Sequence, residues 1–384
     1  MKSIAIIGAG AAGLSTAVSA SELGAEVTVV EQAYPGAGST GLSAGVFTTS
    51  YADPLDVELR VLSAFVLDRL AAEHGLPVTR NGFLRLAHTS VEWSLLRRAV
   101  IEQQRRGVTG VSLLTASELK ELVPDLRTDD LVAGLWCAND GYTDGHVLCS
   151  VWADLLRERG GRIIKAEVVG HEPADKHRLV LSTGNTVNAD VVVNAAGAWA
   201  SKVGDILGHP VPLINERHQV CFAHLSCSLG YTMPTVMDYT QGAQRVGVYF
   251  RHESEVTLLV GLHSNYVGIQ EQVDPDDFAR NSDVEFIERV AGELLSRLPN
   301  LDLRLQEGYA GIYPYSPDWL PIVGPFQADS SVIACTGGGG VGVNLSPIMG
   351  RIAAEWALFA APKALTAATR LLPGRFAQRE TSYV

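Results

Sequence analysis

Apolar positions at the start of the chain change period twice within thirty residues. Ile4-Ala5-Ile6-Ile7 is a short apolar run, and a glycine-rich stretch follows it. Apolar periodicity then continues to Leu23, Gly24 interrupts it, and Val27, Val29 and Val30 resume an apolar run that ends at Glu31. This order predicts strand, turn, helix, glycine stop, strand. Further along, Leu55, Leu59, Leu62, Phe65, Val66 and Leu70 mark a helix over 54–74. A strand is predicted over 81–87, helices over 91–106 and 117–122, and a strand over 134–137. A helix over 147–159 stops at Gly160-Gly161, and a strand over 162–169 follows. Residues 178–182 alternate as a strand, and the almost wholly apolar 190–197 reads as a buried parallel strand ending in small residues.

From 211 to 262 strands dominate, most clearly at 218–223, 247–252 and 256–261, and 275–298 reads as mostly helical. The last segment returns to the pattern of the first, with a strand over 332–335, then Thr336 and a second glycine run, Gly337 to Gly340. Ser346-Pro347 predicts a helix start, with Ser346 as N-cap and Pro347 at the first helical position. Glycine loops at both ends suggest one nucleotide-binding unit assembled from separated pieces. The predicted class is α/β plus α+β: a Rossmann-like unit over 1–50, 140–205 and 306–384, and a mixed or antiparallel-sheet substrate unit over 51–139 and 206–305.

The first loop, Gly8-Ala9-Gly10-Ala11-Ala12-Gly13, has the spacing of a dinucleotide site. Gly8 allows the tight turn, Gly10 lets backbone approach a pyrophosphate, and Gly13 lets the helix pack on the sheet. The helix N-terminus then offers free N–H groups to the phosphates. Glu31 stands where a carboxylate meets a ribose hydroxyl. This motif fits FAD or NAD alike. Gly41-Leu42-Ser43-Ala44-Gly45 also matches a nucleophile-elbow pattern, but loop formers precede it where that motif needs a strand. A serine hydrolase using Ser43 is thus a remote alternative.

Composition narrows the partners. The 384 residues carry a net charge of −12, which argues against nucleic acid or an anionic membrane surface. Five cysteines without C-x-x-C spacing exclude a disulfide framework or zinc site as the organising feature. No apolar run is long enough to span a bilayer, and a cytoplasmic protein is expected.

Five blocks together resemble the FAD-dependent D-amino-acid oxidase superfamily, on the branch with sarcosine oxidase, dimethylglycine dehydrogenase and glycine oxidase. They are residues 8–31, 38–45, 194–199, 311–324 and 336–350, in an order that covers nearly the whole chain. The resemblance implies FAD, and hydride transfer to flavin N5 from the carbon beside an amine nitrogen, with hydrolysis of the resulting imine. It implies cofactor contacts from Gly8, Gly10, Ala12, Gly13, Glu31, Gln32, Ser39, Thr40, Ser43, Ala44, Gly45, Val168, Ala196, Gly197, Trp199, Gly311, Gly337, Gly340, Gly342, Val343 and Asn344.

Departures from the family pattern matter as much. Gly311 stands where some relatives attach flavin through a cysteine, so non-covalent FAD is expected. Tyr313, Asn344 and Val341 stand where relatives carry a carboxylate-binding arginine, a lysine and a histidine, and Thr48 and Thr49 replace arginines. Arg251, Arg217 and His218 are the candidate substitutes, with Tyr249, Tyr313 and Asn344 as further substrate-site residues. The expected substrate is a small amine or amino acid, secondary or N-methylated. The alternatives are a 2-hydroxy acid, or a flavin-carrying subunit of a larger complex; a homo-oligomer is equally compatible.

Overall fold

The computed structural model describes every residue except 174, 240–245, 264–270, 360 and 377–384. The expected nucleotide unit's last residues therefore lie outside the description. Strand Ser3–Ile7 is the centre of a six-stranded sheet, paired in parallel with Glu26–Glu31 on one side and Val191–Asn194 on the other. Arg162–Lys165 extends one edge, and Val332–Thr336 with antiparallel Ile322–Pro325 extends the other. Every residue of Val191–Asn194 is buried, as its uninterrupted apolar run requires. Helix Ala11–Glu22 lies against this sheet and against the last long helix, Gly342–Leu358. An antiparallel three-stranded sheet covers part of the opposite face.

The second large sheet has eight strands. Its order in space is Leu303–Tyr315, Ile214–Leu225, Thr257–His263, Gly247–Ser254, Thr235–Met237, Phe83–Ala87, Ala133–Cys137 and Val111–Leu114. Pairing register sorts its two faces, because side chains alternate. Leu84, Leu86, Cys221, Val248, Phe250 and Val260 point to one face and form an apolar core. Arg85 is level with Met237, Met237 with Tyr249, and Tyr249 with Gly261, so these share the other face. His218 and Tyr313 also belong to it, two rungs apart on adjacent strands. The strand Leu303–Tyr315 runs across the expected unit boundary at 305/306.

Three local expectations need correction. The predicted strand over 162–169 is two strands, Arg162–Lys165 in the six-stranded sheet and Val168–Glu172 in the three-stranded one. The helix expected from 275 begins only at Val284. Arg217 binds the carbonyls of Ala279 and Asn281 and the carboxylate of Asp283, which holds the preceding residues in an irregular path. The final helix begins at Gly342, so Ser346 and Pro347 lie inside it. Pro347 has no N–H for the carbonyl of Val343, and the Ser346 hydroxyl donates to that carbonyl instead, at 3.0 Å.

The contact between first and last helices depends on Gly350. A Cβ there would overlap Ser15 Oγ and the backbone nitrogen of Thr16. Gly292, exposed in helix Val284–Arg297, has open space around its missing Cβ. Gly350→Ala should therefore destabilise the protein by about 1–3 kcal/mol, and Gly292→Ala should stabilise it by about 0.5–1 kcal/mol. Urea denaturation of both variants checks the opposite signs.

Candidate active site

A long cleft of about 330 Å³ runs from the first glycine loop to the second. At one end lie Ile7, Gly8, Val30, Glu31, Gln32, Val168 and Ala196; Gly10, Ala12, Ser39 and Thr40 continue the wall; Ser43, Tyr313, Gly337 to Gly340, Gly342 and Val343 line the other end. Gly197 and Trp199 also line it. A cofactor of two nucleotide-like halves suits such a path, and glycines keep its walls open. Gly8 has φ +104°, and a Cβ on it would come within 2.6 Å of the Ala195 carbonyl. A Cβ on Gly339 or Gly340 would press to 2.7 Å from the Tyr315 ring or 2.6 Å from the Tyr313 ring. The Glu31 carboxylate accepts the N–H groups of Ala9 and Ala33, at 2.7 and 2.9 Å, and so ties the second strand to the first loop. The final helix presents its N-terminal N–H groups toward the second loop's end of the cleft.

Five of the expected cofactor residues lie behind the cleft wall. A Cβ on Gly13 would overlap the Gly8 carbonyl, so this glycine serves the packing beneath the loop. The Ala44 carbonyl accepts from Arg251, and Gly45, at φ +65°, backs onto the Thr143 carbonyl. Gly311 faces Leu42, 3.3 Å from where its Cβ would be. Asn344 is buried and donates its amide to the Thr48 carbonyl at 3.0 Å. It therefore braces a loop. Ser43 is committed within its own loop as well, because its hydroxyl accepts the Gly45 N–H at 2.9 Å, and turns precede it.

The arginines expected to replace missing family cations are committed elsewhere. Arg251 donates to the Ala44 and His252 carbonyls, pairs with Glu253 at 2.7 Å, and stacks over Tyr142. Arg217 points away from the His218 face and grips Asp283 with two nitrogens. His218, in contrast, stacks on Tyr313 with ring centroids 3.9 Å apart. Its Nε2 is 3.3 Å from the Glu216 carboxylate, which makes Nε2 the protonated nitrogen and Nδ1 an acceptor. Burial outweighs Glu216 and lowers the His218 pKa. The hydroxyls of Tyr249 and Tyr313 are hydrogen-bonded to each other, and burial holds both phenols above their ordinary range.

Sequence reading missed the other half of this wall. Tyr51, Arg85, Tyr239 and His263 converge there from separate elements. The His263 ring meets Tyr239 edge-on at 4.8 Å, and burial, with Arg85 and His218 nearby, pushes its pKa down to about 3. Tyr51 sits under the guanidinium of Arg60 at 3.5 Å and near that of Arg85 at 5.2 Å. On the cleft rim, Trp199 donates to Asp276 at 2.6 Å, and Lys202 pairs with Asp274 and Asp276. No motif or spacing announces these groups.

The loop that carries Tyr51 is held by Asp140. This buried carboxylate accepts from the Thr48 hydroxyl at 2.7 Å and the Thr49 N–H at 3.0 Å. Burial raises its pKa to about 6. A folded-state pKa above the unfolded value gives stability that is complete below about pH 3.8 and lost as pH rises through about 6. Asp140→Asn keeps both acceptor contacts and removes this loss. The stability advantage of the variant over wild type should grow by roughly 2–3 kcal/mol between pH 4 and pH 7, measured by denaturation at both pH values.

Comparison with known proteins agrees with this geometry. Residues 3–356 match the family described as FAD dependent oxidoreductase. FAD-dependent oxidoreductase domain-containing protein 1 of Bos taurus is 28% identical over 407 residues, covering 92% of this chain and 81% of that protein. The mitochondrial dimethylglycine dehydrogenase of Mus musculus is 26% identical over 378 residues, covering 93% of this chain but 42% of its own length. The crystal structure of L-proline dehydrogenase from P. horikoshii superposes with a TM-score of 0.86 at 24% identity, covering 98% of each chain, and shares the fold.

Proposed function

The chain belongs to the FAD-dependent oxidoreductase family, and from that premise we propose that it oxidises the C–N bond of a small amine or amino acid. FAD, when bound, supplies the two-electron acceptor for a hydride leaving the carbon beside nitrogen. The product is an imine, which water hydrolyses to a carbonyl compound and the smaller amine.

The observation that carries this reading is the wall opposite the second glycine loop. It is built of aromatic rings and neutral imidazoles: Tyr249, Tyr313 and Tyr315, with His218 and His263. The buried phenols stay protonated and the imidazoles are weak bases. Such a wall suits a substrate whose own nitrogen lone pair drives hydride departure. A hydroxy acid needs a stronger base to take its hydroxyl proton as the hydride leaves. Tyr313 and its neighbours orient the amine and exclude water, and the His218 Nδ1 can accept an N–H from it. The similarity to a dimethylglycine dehydrogenase supports a secondary or N-methylated amine.

In this reading 1–50, 140–205 and 306–384 hold FAD, while 51–139 and 206–305, together with Tyr313 and Tyr315 from the last segment, bring the substrate wall to it. FAD is held without a covalent bond. Gly311 offers no thiol, and the thiol of Cys335, the cysteine that lines the cleft, is pushed up to about 12 by burial. Acid precipitation should release all the FAD into the supernatant. Anaerobic mixing with a panel of amines and hydroxy acids should bleach the flavin with at least one secondary or N-methylated amine. Bleaching by hydroxy acids alone would replace C–N with C–O oxidation.

A further inference from the structure

We propose that Arg85 is the anion anchor of the substrate site, and that the substrate is an amine carrying a carboxylate. This rests on the amine-oxidation reading of the same site. Among the described residues five arginines are buried: Arg60, Arg85, Arg217, Arg251 and Arg297. Four pair with a carboxylate, namely Asp56, Asp283, Glu253, and Asp238 with Asp130. Arg85 is 5% exposed and has no carboxylate partner among the described residues. The undescribed stretches 240–245 and 264–270 contain no aspartate or glutamate. A buried charge without a counter-ion is costly, and a fold that keeps one gains when an anion arrives.

The guanidinium is already positioned. Its Nε donates to the Ser50 hydroxyl at 3.2 Å and its Nη1 to the Tyr239 carbonyl at 3.0 Å. Nη2 has no hydrogen-bond partner among the described residues. Asp140, the acid of the adjoining loop, is occupied by Thr48 and Thr49. Burial raises its pKa.

The position fits the chemistry. Arg85 shares the wall face with Tyr249 through the register across Met237. The Tyr51 ring is 5.2 Å from the guanidinium, and Tyr51 is within electrostatic reach of Tyr313 and Tyr315. A substrate carboxylate on Arg85 therefore directs the amine end toward Tyr313 and the second glycine loop. This places the cation on a central strand of the sheet wall, where arginine's fixed fork of donors can bind a carboxylate.

The test compares redox-inert ligands in the FAD-loaded protein. Methoxyacetate mimics an N-methyl amino acid with oxygen in place of nitrogen, and methoxyacetamide lacks its charge. Flavin absorbance titration should show methoxyacetate binding at least about tenfold tighter in wild type. Arg85→Lys should reduce this ratio, and Arg85→Met should abolish it, with FAD content checked in each. Equal binding of the two ligands by wild type would overturn the proposal, and so would an unchanged ratio in a folded Arg85→Met variant. The wild-type comparison decides if Arg85→Met fails to fold. If wild type prefers methoxyacetate but no amine bleaches its flavin, the anion anchor stands and the amine-oxidation reading falls.

Discussion

The site depends on how closely backbone can approach backbone around helix Ala11–Glu22. Gly13 lets this helix settle on the Gly8 turn, and Gly350 lets the last helix settle on Ser15 and Thr16. The second of these contacts joins residues more than three hundred positions apart in sequence. Together they set the two glycine loops at the two ends of one cleft. A methyl group at either position would separate the layers, and interiors packed to crystal-like density have no slack to absorb that. The same contacts bring two helix N-termini to one cleft, where they would favour the anionic groups of a bound FAD.

The eight-stranded sheet supplies what the parallel sheet cannot. Its alternation sends one apolar core to one face and gathers tyrosines, histidines and Arg85, beside smaller apolar clusters, on the other. Burial then fixes protonation states. It keeps the phenols protonated and the imidazoles neutral, so the wall presents hydrogen-bonding groups and ring surface, with the Glu216 carboxylate held against His218. On this face Arg85 is a buried cation with no carboxylate partner among the described residues.

Much of the cofactor side was legible along the chain. Gly8, Gly10, Glu31, Thr40, Gly337 and Gly340 line the cleft because local spacing alone dictates a strand, a tight turn and a helix. Trp199 and Val168 follow the same rule, each next to a strand of recognisable pattern. Substrate-side reading fared differently. Arg251 and Arg217 were plausible cations, yet each has a carboxylate partner within its fold neighbourhood. Asn344 is expected at the substrate by resemblance, and its amide braces the Thr48 carbonyl.

The sequence by itself determined the elements whose information is local: the strand-turn-helix signature, the small residues that end buried strands, and the dinucleotide-binding architecture they imply. It also named both His218 and Tyr313 as candidate site residues, and their rings stack on each other. Tertiary structure alone decided which ions are spoken for. Whether an arginine is a strut or a receptor depends on which carboxylate lies within salt-bridge reach, and such pairs as Arg297 with Asp130 are far apart in sequence. It also decided where the last helix begins, because a serine hydroxyl takes the hydrogen bond that Pro347 cannot make. These outcomes are set by distances through space, and no periodicity along a chain encodes them.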